Sequence, residues 1–518
     1  MTAEFSLPTT VRTDRYPVSH PPSGILSAVI PYFLAIATIC YLYTTLFDGQ
    51  MFNEDYAVYL QQAWNLAHHL PMRDMGVVQY FDPNLDILHQ SPLTYPPLLP
   101  LIYALPVLAF GFNIVIFKTI QLTILLSALL IFAYAMNKWR FDVKEVSSSI
   151  LIFTLCYYTR SMINSIDSDL PFILFLIIAL LSADNFVRAA GFKRYWWGIL
   201  SGASIFLAID MRTVGVVLVP TLLLADLLIH QRFRFITLAI PGTIAAILWI
   251  GQWALGLSGA SYGFVLHYQF FTPIRNIYEF YWALAQPLAV AAFPKVAIGI
   301  LLVLATLATI GLLYEAANGM IIAVFIVTYT VLLLVLPNFD AGVRYLVPHF
   351  LVLGAFAVRG AALIGRLSHT GIIGRQVFAW STALLGVVWC MLVPVRSPSA
   401  PSEFGVTATS ARDTFTFIRE RTSPDALVAA SKYRSFHLFT QRTTIRLPAL
   451  HTIGDMLAWL HSHRVTEVVV KYSLPRSKGD VTDCPESPLC GYDNPDPDIK
   501  EVFRNTDFAL FHVSFKKD

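Results

Sequence analysis

Charge is what this chain has least of. Of its 518 residues only 13% are Asp, Glu, Lys or Arg, against 56% that are hydrophobic. A soluble domain carries roughly 25% charged residues. Lys and Arg nowhere gather into a basic face, which excludes a nucleic-acid-binding surface. Cysteine is also scarce, at five residues. Cys40, Cys156 and Cys390 fall inside apolar runs and read as packing residues. Cys484 and Cys490 close a short polar loop, where a disulfide is the expectation if that region lies outside the cytoplasm and two free thiols are the alternative. No second Cys or His pair stands near them to complete a zinc motif. An internal sequence repeat is lacking too, which weighs against a transporter with repeat-related halves.

What the chain has instead is long apolar runs. They predict a polytopic α-helical membrane protein with about eleven transmembrane helices. The expected cores are 25–47, 113–136, 147–163, 168–186, 196–210, 213–229, 235–255, 295–313, 319–337, 343–364 and 376–395. The first run is too long for a signal-peptide core and is followed by Asp48 and Gln50 rather than a cleavage site, so it reads as a retained helix. Segment 97–111 is short and bounded by prolines, and reads as interfacial or re-entrant.

Arginine and lysine set the orientation. With a cytoplasmic N-terminal tail, 1–24, the inside connections collect Lys138, Arg140, Lys144, Arg188, Lys193, Arg194, Arg232, Arg234, Arg366 and Arg375. Arg212 and Arg344 are then almost alone on the outside. The expectation is a multi-pass protein of the cell membrane, with a transmembrane domain, 25–395, carrying a long outer loop, 48–112. A second outer segment, 257–294, is rich in Tyr, Phe and Trp, as membrane-interface segments are. After the Ser/Pro linker that begins at Arg396, residues 396–518 read as a soluble extracytoplasmic α/β domain. Its helices are expected over 411–421 and 452–463, and its strands over 427–430, 467–471 and 508–513.

Acids are expensive at a membrane, so their positions carry information. Asn53-Glu54-Asp55-Tyr56 puts two carboxylates just beyond the first run. Asp55 starts an amphipathic segment to Leu70, with Tyr56, Tyr59, Leu60, Ala63, Leu66, Ala67 and Leu70 on one face and Gln61, Gln62, Asn65 and His69 off it. Such a helix would lie in the interface plane, and Asp55 also suits its N-cap. Asp169, ahead of Pro171, opens the fourth run and suits a first turn in the same way. Asp210-Met211-Arg212-Thr213 and Asp340-Ala341-Gly342-Val343-Arg344 are tight turns, each with a local ion pair as its simplest reading. Yet an Arg at the outer surface does not serve the positive-inside bias, and its planar fork suits phosphate oxygens. Acids to activate a hydroxyl and arginines to hold an anionic leaving group thus converge on one side.

In these motifs the chain resembles the GT-C membrane glycosyltransferases, especially the branch that uses dolichyl- or polyprenyl-phosphate sugars. That branch includes the protein O-mannosyltransferases and the lipid A aminoarabinose transferases. The resemblance runs through Asp55, Tyr59, Ala63-Trp64-Asn65-Leu66, Pro96-Pro97-Leu98, Asp169-Leu170-Pro171-Phe172, Arg212-Thr213-Val214-Gly215 and Arg344-Tyr345-Leu346-Val347-Pro348. It covers nearly the whole chain through short, degenerate motifs. It departs from the family in the order Glu54-Asp55 and in Tyr95, which stands where the aminoarabinose transferases have a lysine before Pro-Pro-Leu. The resemblance implies a polyprenyl-phosphate-linked sugar donor and a hydroxyl-bearing glycan, lipid or protein acceptor. It implies Asp55 as the catalytic base, Asp169 and Glu54 orienting the acceptor or a divalent cation, Arg212 and Arg344 on the donor phosphate, and Tyr59 and Tyr95 in support. Two alternatives remain open at this point: a transporter or flippase, and an oligosaccharide ligase or polymerase of cell-envelope glycans.

Overall fold

The computed structural model describes residues 25–52, 55–72, 76–82, 87–90, 95–257, 276–277, 293–335, 342–367, 372–392, 405–450, 452–471, 489 and 498–514. Glu54, Asp340, Cys484, Cys490 and nearly all of the aromatic segment 257–294 lie outside them. Among the described residues fourteen α-helices precede the linker: α1 (Ile25–Thr44), α2 (Asp55–Ala67), α3 (Leu98–Phe110), α4 (Ile114–Lys138), α5 (Val143–Leu155), α6 (Tyr157–Met162), α7 (Asp169–Arg188), α8 (Phe192–Met211), α9 (Leu218–His230), α10 (Phe235–Ala254), α11 (Pro294–Ala317), α12 (Ile321–Val335), α13 (Val347–Leu367) and α14 (Ile372–Leu392). Among the described residues six helical stretches are long and apolar enough to cross a bilayer: α4, α7, α9 with its preceding 3-10 turn, α10, α11 and α13 with its own. Shorter apolar helical stretches, of 10–17 residues, are Val29–Thr44 within α1, α3, α12 and Gln376–Leu392 within α14.

One expectation about the runs changes. The run 147–163 is α5 and α6, separated at Cys156, where the backbone is extended (φ −65°, ψ 149°). Neither Pro nor Gly marks that break. Segment 97–111 is α3, 13 residues long. At 1.5 Å per residue it covers roughly 20 Å, less than the hydrocarbon core.

In the bundle, α7 packs between α4 and α8, while α13 packs against α5, α11 and α14. The α11–α13 approach is backbone to backbone: a Cβ on Gly360 would lie 1.9 Å from the Leu307 carbonyl oxygen. Small residues permit such crossings where no hydrophobic force separates helix from lipid. At one end of the bundle Arg359 joins Glu145 of α5 (2.9 Å) to Glu315 of α11 (3.0 Å).

The opposite end carries a seven-stranded sheet, and its composition was not foreseen. Its order is β2-β1-β4-β3-β5-β7-β6. Five strands come from the C-terminal region: β3 (Leu427–Ala430), β4 (Thr443–Arg446), β5 (Glu467–Lys471), β6 (Ile499–Arg504) and β7 (Phe508–Val513). The other two, β1 (Val77–Asp82) and β2 (Ile87–Gln90), form an antiparallel hairpin in the long loop between α2 and α3. β1 joins β4 in parallel register, Val77 opposite Thr444 and Val78 opposite Ile445. The loop and the C-terminal domain are therefore one sheet. Helices α15 (Thr409–Arg421), α16 (Tyr433–Thr440) and α17 (Ile453–Ser462) accompany it.

Aromatic packing, a side-chain hydrogen bond and a backbone bridge help dock this domain on the bundle. Phe52, between α1 and α2, packs its ring against Phe508 (centroids 5.7 Å), Phe415 and Phe436 (6.2 Å each). Tyr56 Oη donates to Ser435 Oγ of α16 at 2.8 Å. Gln50 pairs with Gly405, and the Val406 amide donates to the Gln50 carbonyl at 2.9 Å. Gly405 has φ +77°, and a Cβ there would sit 1.9 Å from that same carbonyl oxygen. Gly405→Ala is therefore expected to cost about 2 kcal/mol or more, from left-handed strain plus displacement of this contact. A thermal-unfolding midpoint several degrees below wild type in detergent would show it; an unchanged midpoint would contradict this docking.

Candidate active site

Asp55 opens α2, and α2 is buried almost all round. The expectation of an amphipathic helix with a solvated polar face is thereby corrected. Gln61, Gln62 and Asn65, placed by periodicity on the polar face, are buried along with Tyr56, Tyr59 and Leu60. α3 covers one side of α2 and α16 of the soluble domain touches another. The buried amides find partners locally, except Gln61 Oε1, which has none among the described residues. Gln61 donates to Asn65 Oδ1 at 3.0 Å, and Gln62 bonds both the amide and the carbonyl of Tyr95 at 3.1 Å. That clamp fixes the backbone of Tyr95, whose hydroxyl donates to Asp55 Oδ1 at 2.6 Å.

The other Asp55 oxygen meets Arg344. Arg344 Nη1 lies 2.5 Å from Asp55 Oδ2, and Nε and Nη2 both reach Asp169 Oδ2 at 2.9 Å. Arg212 closes the array on Asp169 Oδ1 and stacks over the Tyr345 ring, 4.4 Å from its centroid. Asp169 is fully buried, while about a third of Arg344 and of Asp55 stays open. Tyr59 Oη donates to Ser168 Oγ at 2.9 Å, and its ring lies 4.7 Å from that of Tyr95. Residues from α2, the segment before α3, the start of α7, the end of α8 and the turn before α13 thus meet at the sheet-bearing end of the bundle. Six residues singled out in the sequence come together here: Asp55, Tyr59, Tyr95, Asp169, Arg212 and Arg344.

The local Asp210–Arg212 ion pair does not form. Asp210 accepts from Gln252 Nε2 of α10 at 2.6 Å, which leaves Arg212 to Asp169. Two residues were missed by sequence reasoning. Asp167 is buried beside the array, and its Oδ1 accepts the Asp169 amide at 3.1 Å. Burial raises its carboxyl above the ordinary range, against the pull of Arg344 and Arg212. The spacing Asp167-x-Asp169 was the available signal. Arg434, at the start of α16, adds positive charge near Asp55, and nothing in its local sequence marks it.

Burial would raise the Asp55 carboxyl. The Arg344 charge and hydrogen bond, with Tyr95 and Arg434, outweigh burial and hold it below its ordinary value of 3.8. Asp55 is a carboxylate at neutral pH. Asp55 and Asp169 direct their oxygens to guanidinium and phenol groups, so this arrangement does not form a divalent-cation site. Among the described residues no group of three His, Cys, Asp or Glu side chains is placed to hold a metal ion. Chemically, the site offers an ionised base next to a paired cationic cradle, open on one side.

No family model and no curated protein sequence matches this chain. Solved structures do. The oligosaccharyltransferase of Archaeoglobus fulgidus, in its apo form, superposes with a TM-score of 0.55 at 12% identity, over 86% of this chain and 69% of that one. ArnT of Cupriavidus metallidurans, bound to undecaprenyl phosphate, gives 0.53 at 12% identity, over 93% of this chain and 98% of that one. The mycobacterial arabinofuranosyltransferase AftD gives 0.54 at 11% identity, over 96% of this chain and 42% of that one. With its apolar spans and its sheet at one end, the chain has the polytopic GT-C fold of these membrane proteins.

Proposed function

We propose that this protein is a membrane glycosyltransferase that moves a monosaccharide from a polyprenyl-phosphate carrier to an acceptor hydroxyl. The observation that carries the reading is the array Asp55–Arg344–Asp169–Arg212, one ionised base held against two phosphate-competent arginines. It gains support from the likeness to ArnT, whose structure holds undecaprenyl phosphate.

In this reading the donor phosphodiester enters at Arg344 and Arg212. Asp55 takes the proton of the acceptor hydroxyl as its oxygen bonds to the sugar C1. The C1–O bond to phosphate breaks, and the lipid phosphate leaves with one more negative charge than it brought. The two guanidinium groups face that growing charge. Asp169 keeps both arginines aimed, Tyr95 orients the carboxylate, and Tyr59 supports the start of α7 through Ser168. As the phosphate draws on Arg344, Asp55 loses its strongest partner and gains proton affinity, which suits a base.

The depressed Asp55 pKa sets a pH expectation. A carboxylate lowered below 3.8 stays ionised as pH falls to that value, then loses its charge on further acidification. The acid limb of kcat/KM, which reports the free enzyme, should therefore lie below pH 3.8. A limb near pH 5 to 6 in a rate profile would contradict the pairing seen here.

The site and the sheet share one end of the bundle, and the Lys/Arg bias assigns that end to the extracytoplasmic face. A reporter fused after Asp518 is expected to register as extracytoplasmic; a cytoplasmic signal would reverse the assignment. Deleting the gene and analysing envelope glycans tests the function as a whole. The expected result is loss of one kind of monosaccharide substituent, restored by the wild-type chain and not by an Asp55→Asn chain. An unchanged glycan profile would sink the proposal.

A further inference from the structure

The soluble domain has a cavity of about 490 Å³ at the edge where β3 and β5 begin, and nothing in the transfer chemistry uses it. Glu467, the first residue of β5, lines it and is only 6% exposed. Its Oε1 is bonded to His512 Nδ1 of the neighbouring β7 at 2.9 Å. Its Oε2 is buried with no hydrogen-bond partner among the described residues. Buried polar oxygens without a donor are rare in folded proteins, and one beside an open cavity points to a ligand that supplies the donor. The rest of the lining brings Arg421, Asp425 and the ring of Phe417, which stacks on Phe503 (centroids 4.6 Å).

This cavity is remote from Asp55. The far end of β5, Lys471, places its ammonium over Phe52, the ring that docks the domain on the bundle. The four steps back to Glu467 span roughly 13 Å. Glu467 therefore stands on the side of the sheet away from the bundle.

The lining selects among ligand classes. A simple cation is opposed by Arg421, and an anion by Glu467 and Asp425. An apolar ligand would leave Glu467 Oε2 unsatisfied. What remains is a neutral molecule rich in groups that both donate and accept, with a C–H face for Phe417. We propose that this cavity is a saccharide-binding site, distinct from the transfer site, in which Glu467 accepts from sugar hydroxyls, Arg421 donates to them and Phe417 packs against a ring face. Its volume falls in the ordinary range for small-ligand pockets, about 300–1,000 Å³. The site does not depend on the transfer reading, since it is defined by the soluble domain alone.

The test uses the full chain in nanodiscs without any lipid donor. Saturation-transfer NMR is recorded against soluble di- and trisaccharides of glucose, mannose, galactose and arabinose. At least one of them is expected to bind wild type and Asp55→Asn equally, and to bind Glu467→Gln and Arg421→Ala about tenfold more weakly, the loss typical of one charged hydrogen bond. Arg421 is exposed, so its substitution leaves the fold intact and decides the matter alone if Glu467→Gln does not fold. No binding by any of these sugars, or binding unchanged in Arg421→Ala, would overturn the proposal. So would binding lost only in Asp55→Asn, which would place it at the transfer site. Because no donor is present, failure here leaves the assignment of Asp55 untouched.

Discussion

Asp55→Asn should reduce sugar transfer by about 10²–10⁴-fold, the usual contribution of a positioned general base, with protein level and thermal midpoint near wild type. The amide keeps the volume of the carboxylate and can still accept from Tyr95 or Arg344, and Asp169 continues to hold Arg344 through two contacts. What is removed is the proton acceptor alone. Donor affinity should hold or rise, since Arg344 no longer divides itself between a carboxylate and an incoming phosphate. Initial rates with a labelled polyprenyl-phosphate sugar over a range of donor concentrations separate the two effects. Wild-type turnover would refute Asp55 as the base. A raised donor KM with unchanged kcat would assign it to binding instead.

Arg344→Met should be more damaging, because Arg344 serves two carboxylates at once. Its loss leaves Asp55 with Tyr95 and leaves the fully buried Asp169 with Arg212 as its remaining guanidinium partner. Removing one partner of a buried ion pair costs about 3–5 kcal/mol. The opening around Arg344, 30% exposed, discounts that figure for the Asp55 half. Loss of a donor facing the leaving phosphate should cost a further 10²–10³-fold, roughly, in kcat. The expected phenotype is a lower thermal midpoint together with loss of transfer. Arg344→Lys should restore stability better than activity, since a point charge replaces a fork that reaches both Asp55 and Asp169. Equal recovery of both would mean that charge alone is needed there.

Much of the site was legible because acids and outer-surface arginines are costly enough at a membrane to need a reason. Asp55, Asp169, Arg212 and Arg344 were each visible as exceptions to composition, and topology put them at one end before any geometry was known. Strands 427–430, 467–471 and 508–513 were legible with their limits, being short apolar runs between turn residues. What escaped depended on tertiary partners. Gln61, Gln62 and Asn65 look like a solvated face, because periodicity cannot see that α3 and α16 cover it. The β1–β2 hairpin is a weak local signal that becomes structure by pairing β1 with β4, more than 350 residues downstream in the register Val77–Thr444. α16 is only eight residues long, too short for a periodic signal, yet it brings Ser435 to Tyr56 and Arg434 to Asp55. The break at Cys156 has no residue that announces it.

The donor is the part of the account on which everything else rests. Purified protein in liposomes can be offered, in parallel, a panel of polyprenyl-monophosphate sugars and a lipid-diphosphate oligosaccharide, with the lipid products followed by mass spectrometry. The account predicts consumption of a monophosphate donor with release of one polyprenyl monophosphate per sugar transferred, and none of this in Asp55→Asn. Turnover of the diphosphate oligosaccharide with every monophosphate donor left intact would contradict it.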